Sequence, residues 1–309
     1  MKCSRFCPAK VNLFLEVNGK RPNGYHELTT LFAKISLGDM LTVQATPAPK
    51  TSISLQVTGP QRTHIPCTPQ NLVCKAAQKF LDHYCLHAHI QLVLDKHIPT
   101  GAGLGGGSSD AAGVLLALCE MYHKDPMSLI DLAATLGADV PLFLYPDTFL
   151  KGEGIGEKLT AIHAADSLPA LVLVYPNVAV STKEVFARMQ IPTEQQVLTN
   201  LSKLDKLIDV VENGFPLDSW MPLLFNRLEQ YVLPFVPAVQ DAIDVLRGTG
   251  NHICMMSGSG STVFNLVSTI QNAQELAGKL QQLNALVFPV TFYKGTGHAN
   301  YRSESSFNE

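Results

Sequence analysis

Pro99-Thr100-Gly101-Ala102-Gly103-Leu104-Gly105-Gly106-Gly107-Ser108-Ser109-Asp110-Ala111-Ala112 is the stretch on which the reading of this chain turns. Five glycines fall within seven positions, followed by two serines, an acid and a run of helix formers. Glycine lets the backbone take positive φ and come close to a ligand. Ser108 or Ser109 is placed to cap a new helix. The unpaired N–H groups at that helix start, with the helix dipole behind them, make an anion site. The stretch points to a phosphate.

Three nucleotide loops compete for it. A Walker A loop needs a lysine after its last glycine, but Gly107 is followed by Ser108. A protein-kinase loop would come with His-Arg-Asp and Asp-Phe-Gly motifs, and neither occurs. The dinucleotide pattern G-x-G-x-x-G does match at Gly101, Gly103 and Gly106. It requires a strand running straight into the glycines and an acid ending a second strand about 20 residues on. Here Pro99-Thr100 intervenes, and Glu120 falls in a helical stretch. A plain flexible connector would leave unexplained the strand before, the serines after, and a second cluster, Ser257-Gly258-Ser259-Gly260-Ser261-Thr262. That cluster also lies between apolar strands, where glycines permit close backbone approach. Two such loops suggest a two-sided ligand cleft.

Working outward, the 309 residues suffice for two domains, and 46% hydrophobic with 16% charged residues supports a sizeable core. Twenty-three basic against 26 acidic residues give a net charge of −3, so no nucleic-acid footprint is expected. Seven cysteines without a Cys-x-x-Cys read as thiols in a reducing compartment. The His83, Cys85, His87, His89 group fits no closed zinc spacing, and no metal site is expected there. Lys10, Asn12 and Glu16 interrupt any signal-peptide core, and no apolar run has bilayer length. The expectation is a cytoplasmic protein with a small-molecule substrate, no nucleic-acid or membrane partner, and a monomer or homodimer state.

Alternation predicts strands near 10–18, 27–36, 40–46, 52–58 and 90–94, with a turn at Arg21-Pro22-Asn23-Gly24. Helical spacing covers 70–85 and about 108–122, and Asp125-Pro126 opens another helix ending near Gly137. Gly152, Gly154 and Gly156 argue against a regular element over 149–159. Beyond an apolar strand at 168–175, helices are expected at 182–190, 194–212, 219–230, 235–247 and 270–284. Strands are expected at 252–256, 262–267 and 288–293. The pattern is α+β, with a first domain over 1–164, a second over 165–294, and a polar, loose tail over 295–309.

Pro8-Ala9-Lys10-Val11-Asn12-Leu13, the 99–112 loop and Met256-Ser257-Gly258-Ser259-Gly260-Ser261 resemble, in this order, the three motifs of the GHMP kinase superfamily. Arg21-Pro22-Asn23-Gly24-Tyr25-His26-Glu27-Leu28 and Gly137-Ala138-Asp139-Val140-Pro141 are similar to the branch whose acceptor is a cytidine-diphosphate-linked methylerythritol. Homoserine- and mevalonate-type acceptors are the near alternatives, and a NAD-binding oxidoreductase the remote one. The resemblance implies a two-domain fold, the first like ribosomal protein S5 domain 2 and the second ferredoxin-like. It also implies transfer from ATP with Mg²⁺ to the C2 hydroxyl of the methylerythritol in non-mevalonate isoprenoid biosynthesis.

The resemblance extends to residues. Asp139, which by itself reads as a helix N-cap before Val140-Pro141, becomes the catalytic base. Lys10 and Asn12 share one strand face; a surface lysine becomes a cation beside Asp139, and Asn12 a contact to the substrate sugar. Tyr25 would stack on the cytosine, His26 would bond its edge, and Phe186 with Thr182 nearby would form the opposite face. Pro99, Gly101, Ala102, Gly103, Leu104, Gly105, Gly106, Gly107, Ser108 and Ser109 would hold ATP phosphates, one serine also touching Mg²⁺. Asn71, otherwise a plain N-cap, and Lys96 would lie near the adenine. Where the family carries Arg-Gly, this chain has Lys151-Gly152-Glu153, and that loop is given no catalytic role.

Overall fold

The computed structural model describes residues 1–63, 65–250 and 254–295, so the expected loose tail lies, from residue 296, outside the described residues. The chain opens with β1 (Lys2–Lys20) and β2 (His26–Pro47), one long antiparallel ribbon. Its turn carries Tyr25, and Gly24 there adopts φ +88°. Then come β3 (Ser52–Thr58), α1 (Leu72–His83), β4 (Ala88–Asp95), α2 (Gly106–Tyr122) and the short α3 (Ile130–Ala134). They are followed by β5 (Phe149–Gly154), β6 (Lys158–Ile162), β7 (Ala170–Tyr175), α4 (Thr182–Arg188) and α5 (Glu194–Asn213). The last elements are β8 (Phe225–Asn226), α6 (Pro237–Gly248), β9 (Cys254–Met256), β10 (Val263–Val267), α7 (Ile270–Lys279) and β11 (Leu286–Thr291).

Two sheets result. The first runs β3-β4-β2-β1-β8, with β5 also pairing β2 and β6 pairing β5. The second is antiparallel throughout, in the order β11-β7-β10-β9. Helices α6 and α7 cover one face of the second sheet through Val172, Val174, Val263, Ile243 and Leu276. Its other face, including Leu171, Leu173 and Phe264, shares an apolar core with Val11, Leu13 and Ile35 of the ribbon and with α5. Helix α2 is apolar nearly all round and packs between the first sheet and α1, as a core helix should. Register shifts at Pro8/Ala9, Asn12/Phe14 and Val17/Gly19 break the ribbon's regular alternation. Such bulges re-aim side chains, and the middle one adjoins Asn12.

Several elements differ from the alternation pattern. The runs 27–36 and 40–46 form one strand, because Asp39, polar in the sequence, is fully buried and bonded within it. The glycines of 149–159 do not prevent a hairpin, β5–β6. A Cβ at Gly152 would lie 2.7 Å from the Phe32 ring, so glycine is what lets the strands close over that ring. Residues 219–230 are not a helix: Pro222 interrupts the pattern, and short 3₁₀ turns flank buried Trp220 before β8, with another at Glu229–Tyr231 after it. Helix α2 begins before the serines, at Gly106, with left-handed Gly105 as its cap and no side-chain cap.

Candidate active site

The glycine loop leaves β4 and enters α2 as a cradle. Among the described residues the first-turn amides of Gly106, Gly107 and Ser108 have no acceptor, and the first used amide is that of Ser109, donating to Gly105 O at 3.0 Å. Three open N–H groups at the positive end of a 17-residue helix make an anion site. Ser108 faces the cavity, while Ser109 is buried behind it with a hydroxyl that has no partner. Gly103 adopts φ +76°, and a Cβ there would come within 2.6 Å of Ser257 O and 2.7 Å of Gly260 O. The two glycine loops thus touch backbone to backbone. Thr262 N donates to Ala102 O (3.1 Å), and Ser257 Oγ donates to Gly103 O (3.3 Å).

Facing the cradle, Lys10 and Asn12 project from the same face of β1. Lys10 Nζ donates to Asn12 Oδ1 at 2.8 Å and lies 3.6 Å from Asp139 Oδ2. The lysine side chain is 6% exposed and the aspartate 33%, so the pair sits at the floor of an opening rather than on a solvated surface. Asn12 Nδ2 donates to Thr30 Oγ1 (2.8 Å), which donates to Phe14 O (2.6 Å), fixing the amide's orientation. Asp139 caps no helix; the following 3₁₀ turn starts at Pro141 with Val140 as its cap and no side-chain bond.

Lys96 is held from within. Its ammonium donates to Asp39 (2.5 Å) and Asp110 (2.8 Å), and all three groups are buried. Burial pulls the Lys96 pKa down, but Asp110 and Asp39 outweigh it and the net shift is upward. Burial pushes the Asp110 carboxyl up to about 8 against the pull of Lys96, with Asp39 adding to the rise. Asp39 also accepts from the amides of His97 (2.5 Å) and Ile98 (2.8 Å). A Cβ at Gly106 would lie 2.9 Å from Lys96 Nζ, so this triad underpins the cradle. Lys96 lines the cavity, yet its charge is engaged below the loop. Asp39 had no sequence signal, since its partners Lys96, His97 and Ile98 are 57 to 59 residues away. Asn71 caps α1 by accepting from Val73 N (3.1 Å), donates to Pro66 O (2.9 Å), and lines the same cavity.

The cavity holds about 1020 Å³, at the upper end of the usual range for ligand sites, and is lined by the cradle, Lys10, Asn12 and Asp139 together with Tyr25, His26, Thr182 and Phe186. The His26 and Phe186 rings stack at 4.8 Å and 21°. Burial, with Lys20 adding, lowers the His26 pKa and favours the neutral ring. Tyr25 is 60% exposed on the turn. Thr182 shares a 2.7 Å hydrogen bond with Ser259 of the second loop. Arg21 pairs with Glu27 through bonds of 2.7 and 3.0 Å and lies 3.8 Å from Glu157, so the β5–β6 hairpin braces this turn. Ile155 at the hairpin tip also lines the cavity, a contact the charge pattern of that loop had not signalled.

The dinucleotide reading fails on topology. The strand after α2, β5, is antiparallel to β2 instead of completing a parallel unit, and Glu120 pairs with Arg5 at 2.6 Å. Residues 71–147 match the family model described as the GHMP kinases N terminal domain. The 4-diphosphocytidyl-2-C-methyl-D-erythritol kinase of Deinococcus radiodurans is 38% identical over 283 residues, 90% of this chain and 88% of that protein. The protein of that name from Geobacter sp. strain M21 is 35% identical over 91% of this chain and 95% of its own length. A crystal structure of 4-(cytidine 5'-diphospho)-2C-methyl-D-erythritol kinase superposes with a TM-score of 0.74 at 32% identity, covering 94% of this chain and 100% of that one. A homoserine kinase from Cytophaga hutchinsonii, at 16% identity, shares the fold with a TM-score of 0.75 over 94% of this chain and 95% of its own. The α+β architecture with its two sheets is therefore the GHMP kinase fold. Identity above a third over nine-tenths of the sequence narrows it further: the chain belongs to the 4-diphosphocytidyl-2-C-methyl-D-erythritol kinase family.

Proposed function

We propose that the chain phosphorylates the C2 hydroxyl of 4-diphosphocytidyl-2-C-methyl-D-erythritol, with ATP as donor, in non-mevalonate isoprenoid biosynthesis. The observation that carries this is one cavity lined by an anion cradle, the Lys10–Asp139 pair and the stacked aromatic rings of His26 and Phe186. The open amides of Gly106 to Ser108 bind phosphate oxygens and aim the γ-phosphoryl group at the pair. Pro99 through Gly105 wall the nucleotide, Asn71 with Lys96 borders the adenine side, and buried Ser109 supports the cradle from behind. Tyr25 and Phe186 hold the cytosine between their faces, which requires His26 to leave Phe186 and turn to the edge of the base. Thr182 and Asn12 contact the rest of the acceptor.

The C2 oxygen bonds to the γ-phosphorus as the bond to the β–γ bridging oxygen breaks. Asp139 orients the hydroxyl and accepts its proton, and ADP leaves. Lys10 holds Asp139 in place and offsets charge on the transferring group. The Ser108 hydroxyl, a hard oxygen donor that lines the cavity beside the cradle, fits Mg²⁺ and would hold it. Among the described residues no cluster of three or more His, Cys, Asp or Glu could hold a metal. The ion would therefore rest largely on the nucleotide's own phosphates, where it neutralises charge. No helix of the described residues is long and apolar enough to cross a membrane. The seven free thiols support work in the reducing cytoplasm. ADP release is the test: turnover with the cytidylyl acceptor and none with mevalonate or homoserine is expected. No turnover with the cytidylyl acceptor overturns the reading.

A further inference from the structure

Asn226 sits on the two-residue strand β8, which pairs in parallel with Phe14–Leu15 of β1. The next residue secures that pairing. Arg227 N donates to Leu15 O (2.8 Å), and its guanidinium makes two 2.7 Å bonds to Glu16, whose carboxylate also accepts from Asn200 (2.6 Å). The segment is thus fixed to the strand that carries Lys10 and Asn12. The Asn226 side chain is buried and fully engaged. Its Nδ2 donates to Met256 O and Gly258 O, both at 2.8 Å, and its Oδ1 accepts from Leu228 N at 2.9 Å. Three residues on, Glu229 Oε1 accepts from Met256 N at 2.7 Å. One short segment therefore grips both backbone groups of Met256 and the carbonyl of Gly258.

What it grips is the wall behind the reacting groups. A Cβ at Gly258 would lie 3.1 Å from Asn12 Oδ1 and 3.4 Å from Lys10 Nζ. Ser257 Oγ accepts from Asn12 N (3.4 Å), and Ser259 bonds Thr182. A displaced loop would move the surroundings of Lys10, the cradle at Gly103 and the acceptor side at Thr182 together. We propose that Asn226 and Glu229 are positioning residues for phosphoryl transfer, holding the 257–260 loop against Lys10 and Asn12. The proposal rests on the kinase reading above.

Asn226→Asp tests it, because the variant keeps the shape and the acceptor for Leu228 N but replaces both donors with a carboxylate facing two carbonyls. A misplacement near 1 Å is expected to cut kcat about 10- to 100-fold, with KM for both substrates within about three-fold of wild type. Glu229→Ala should fall similarly, and Glu229→Gln, which retains an acceptor, should recover kcat to within about three-fold. Hydrogen exchange gives a readout free of turnover. The Gly260 amide, which donates to Ser257 O at 2.9 Å, should exchange faster in Asn226→Asp, while Leu173 in the second sheet should not. Wild-type kcat with only a lowered melting temperature, a rise in KM alone, or unchanged Gly260 exchange overturns the proposal. If wild type itself fails to phosphorylate the acceptor, the kinase reading falls, and the Gly260 exchange still decides whether Asn226 anchors the loop.

Discussion

Gly103→Ala tests the seam between the two glycine loops. The added methyl would stand 2.6 Å from Ser257 O and 2.7 Å from Gly260 O, against ordinary contact beginning at 3.4 Å. Both neighbours are backbone atoms and cannot rotate aside. The walls must part by about 0.7–0.8 Å, in an interior packed too densely to absorb it. Holding alanine at φ +76° costs about 1–2 kcal/mol, and the overpacking adds about 1–3 kcal/mol. Over a chain of this size the total should lower the melting temperature by about 4–20 °C. The displaced cradle should lower kcat on the order of 10²-fold. Gly278→Ala is the control: it lies exposed in α7 with open space around it, so alanine should stabilise by about 0.5–1 kcal/mol. Thermal unfolding and steady-state kinetics read both variants. A Gly103→Ala protein that melts within about 1 °C of wild type and turns over within about two-fold would refute the reasoning.

Further outcomes follow from the same geometry. Lys10→Met keeps the aliphatic stem but loses the charge beside Asp139, so kcat should fall on the order of 10²- to 10³-fold with KM for ATP little changed; a loss under about five-fold would count against its role. Tyr25→Ala should raise KM for the cytidylyl acceptor about 5- to 150-fold. Because Tyr25 is 60% exposed, its melting temperature should not change, and an unchanged KM sinks the stacking role. The Asp110 carboxyl is raised by burial from 3.8 to about 8 in the fold. The folded state therefore binds that proton more tightly than the unfolded chain, and the stabilisation is complete below about pH 4 and lost as pH rises toward 8. Asp110→Asn should flatten the decline of melting temperature between about pH 4 and 8, the window between the unfolded and folded titrations; a curve parallel to wild type refutes the assignment.

What the sequence made legible was local. The glycines of 99–112, the Lys10/Asn12 alternation and the Pro-Asn-Gly turn each carry their geometry within a few residues, and the structure realises all three. What it hid was held at long range. The strands near 27–36 and 40–46 read as separate because the partners that bury Asp39 between them, Lys96, His97 and Ile98, lie far along the chain. The serine pair reads as a helix cap, but left-handed Gly105 starts the helix earlier and leaves the amides open. Gly152 reads as a breaker until the Phe32 ring fills the space above it. Asn226 falls in a stretch with helical spacing, and nothing there announces that its amide holds the loop at Met256 and Gly258.

The central claim is that Asp139, braced by Lys10, serves a hydroxyl placed beside the phosphate cradle. Single-turnover transfer of labelled γ-phosphoryl from ATP, followed in wild type and Asp139→Asn, tests it most directly. Asp139 is a third exposed, and among the described residues its one ion pair is with Lys10, so the variant should fold and bind ATP normally. The account predicts that wild type places the label on the C2 hydroxyl of the cytidylyl acceptor and that the variant does so about 10²- to 10⁴-fold more slowly. Transfer by Asp139→Asn at the wild-type rate, or label appearing only as inorganic phosphate with wild type, would contradict it.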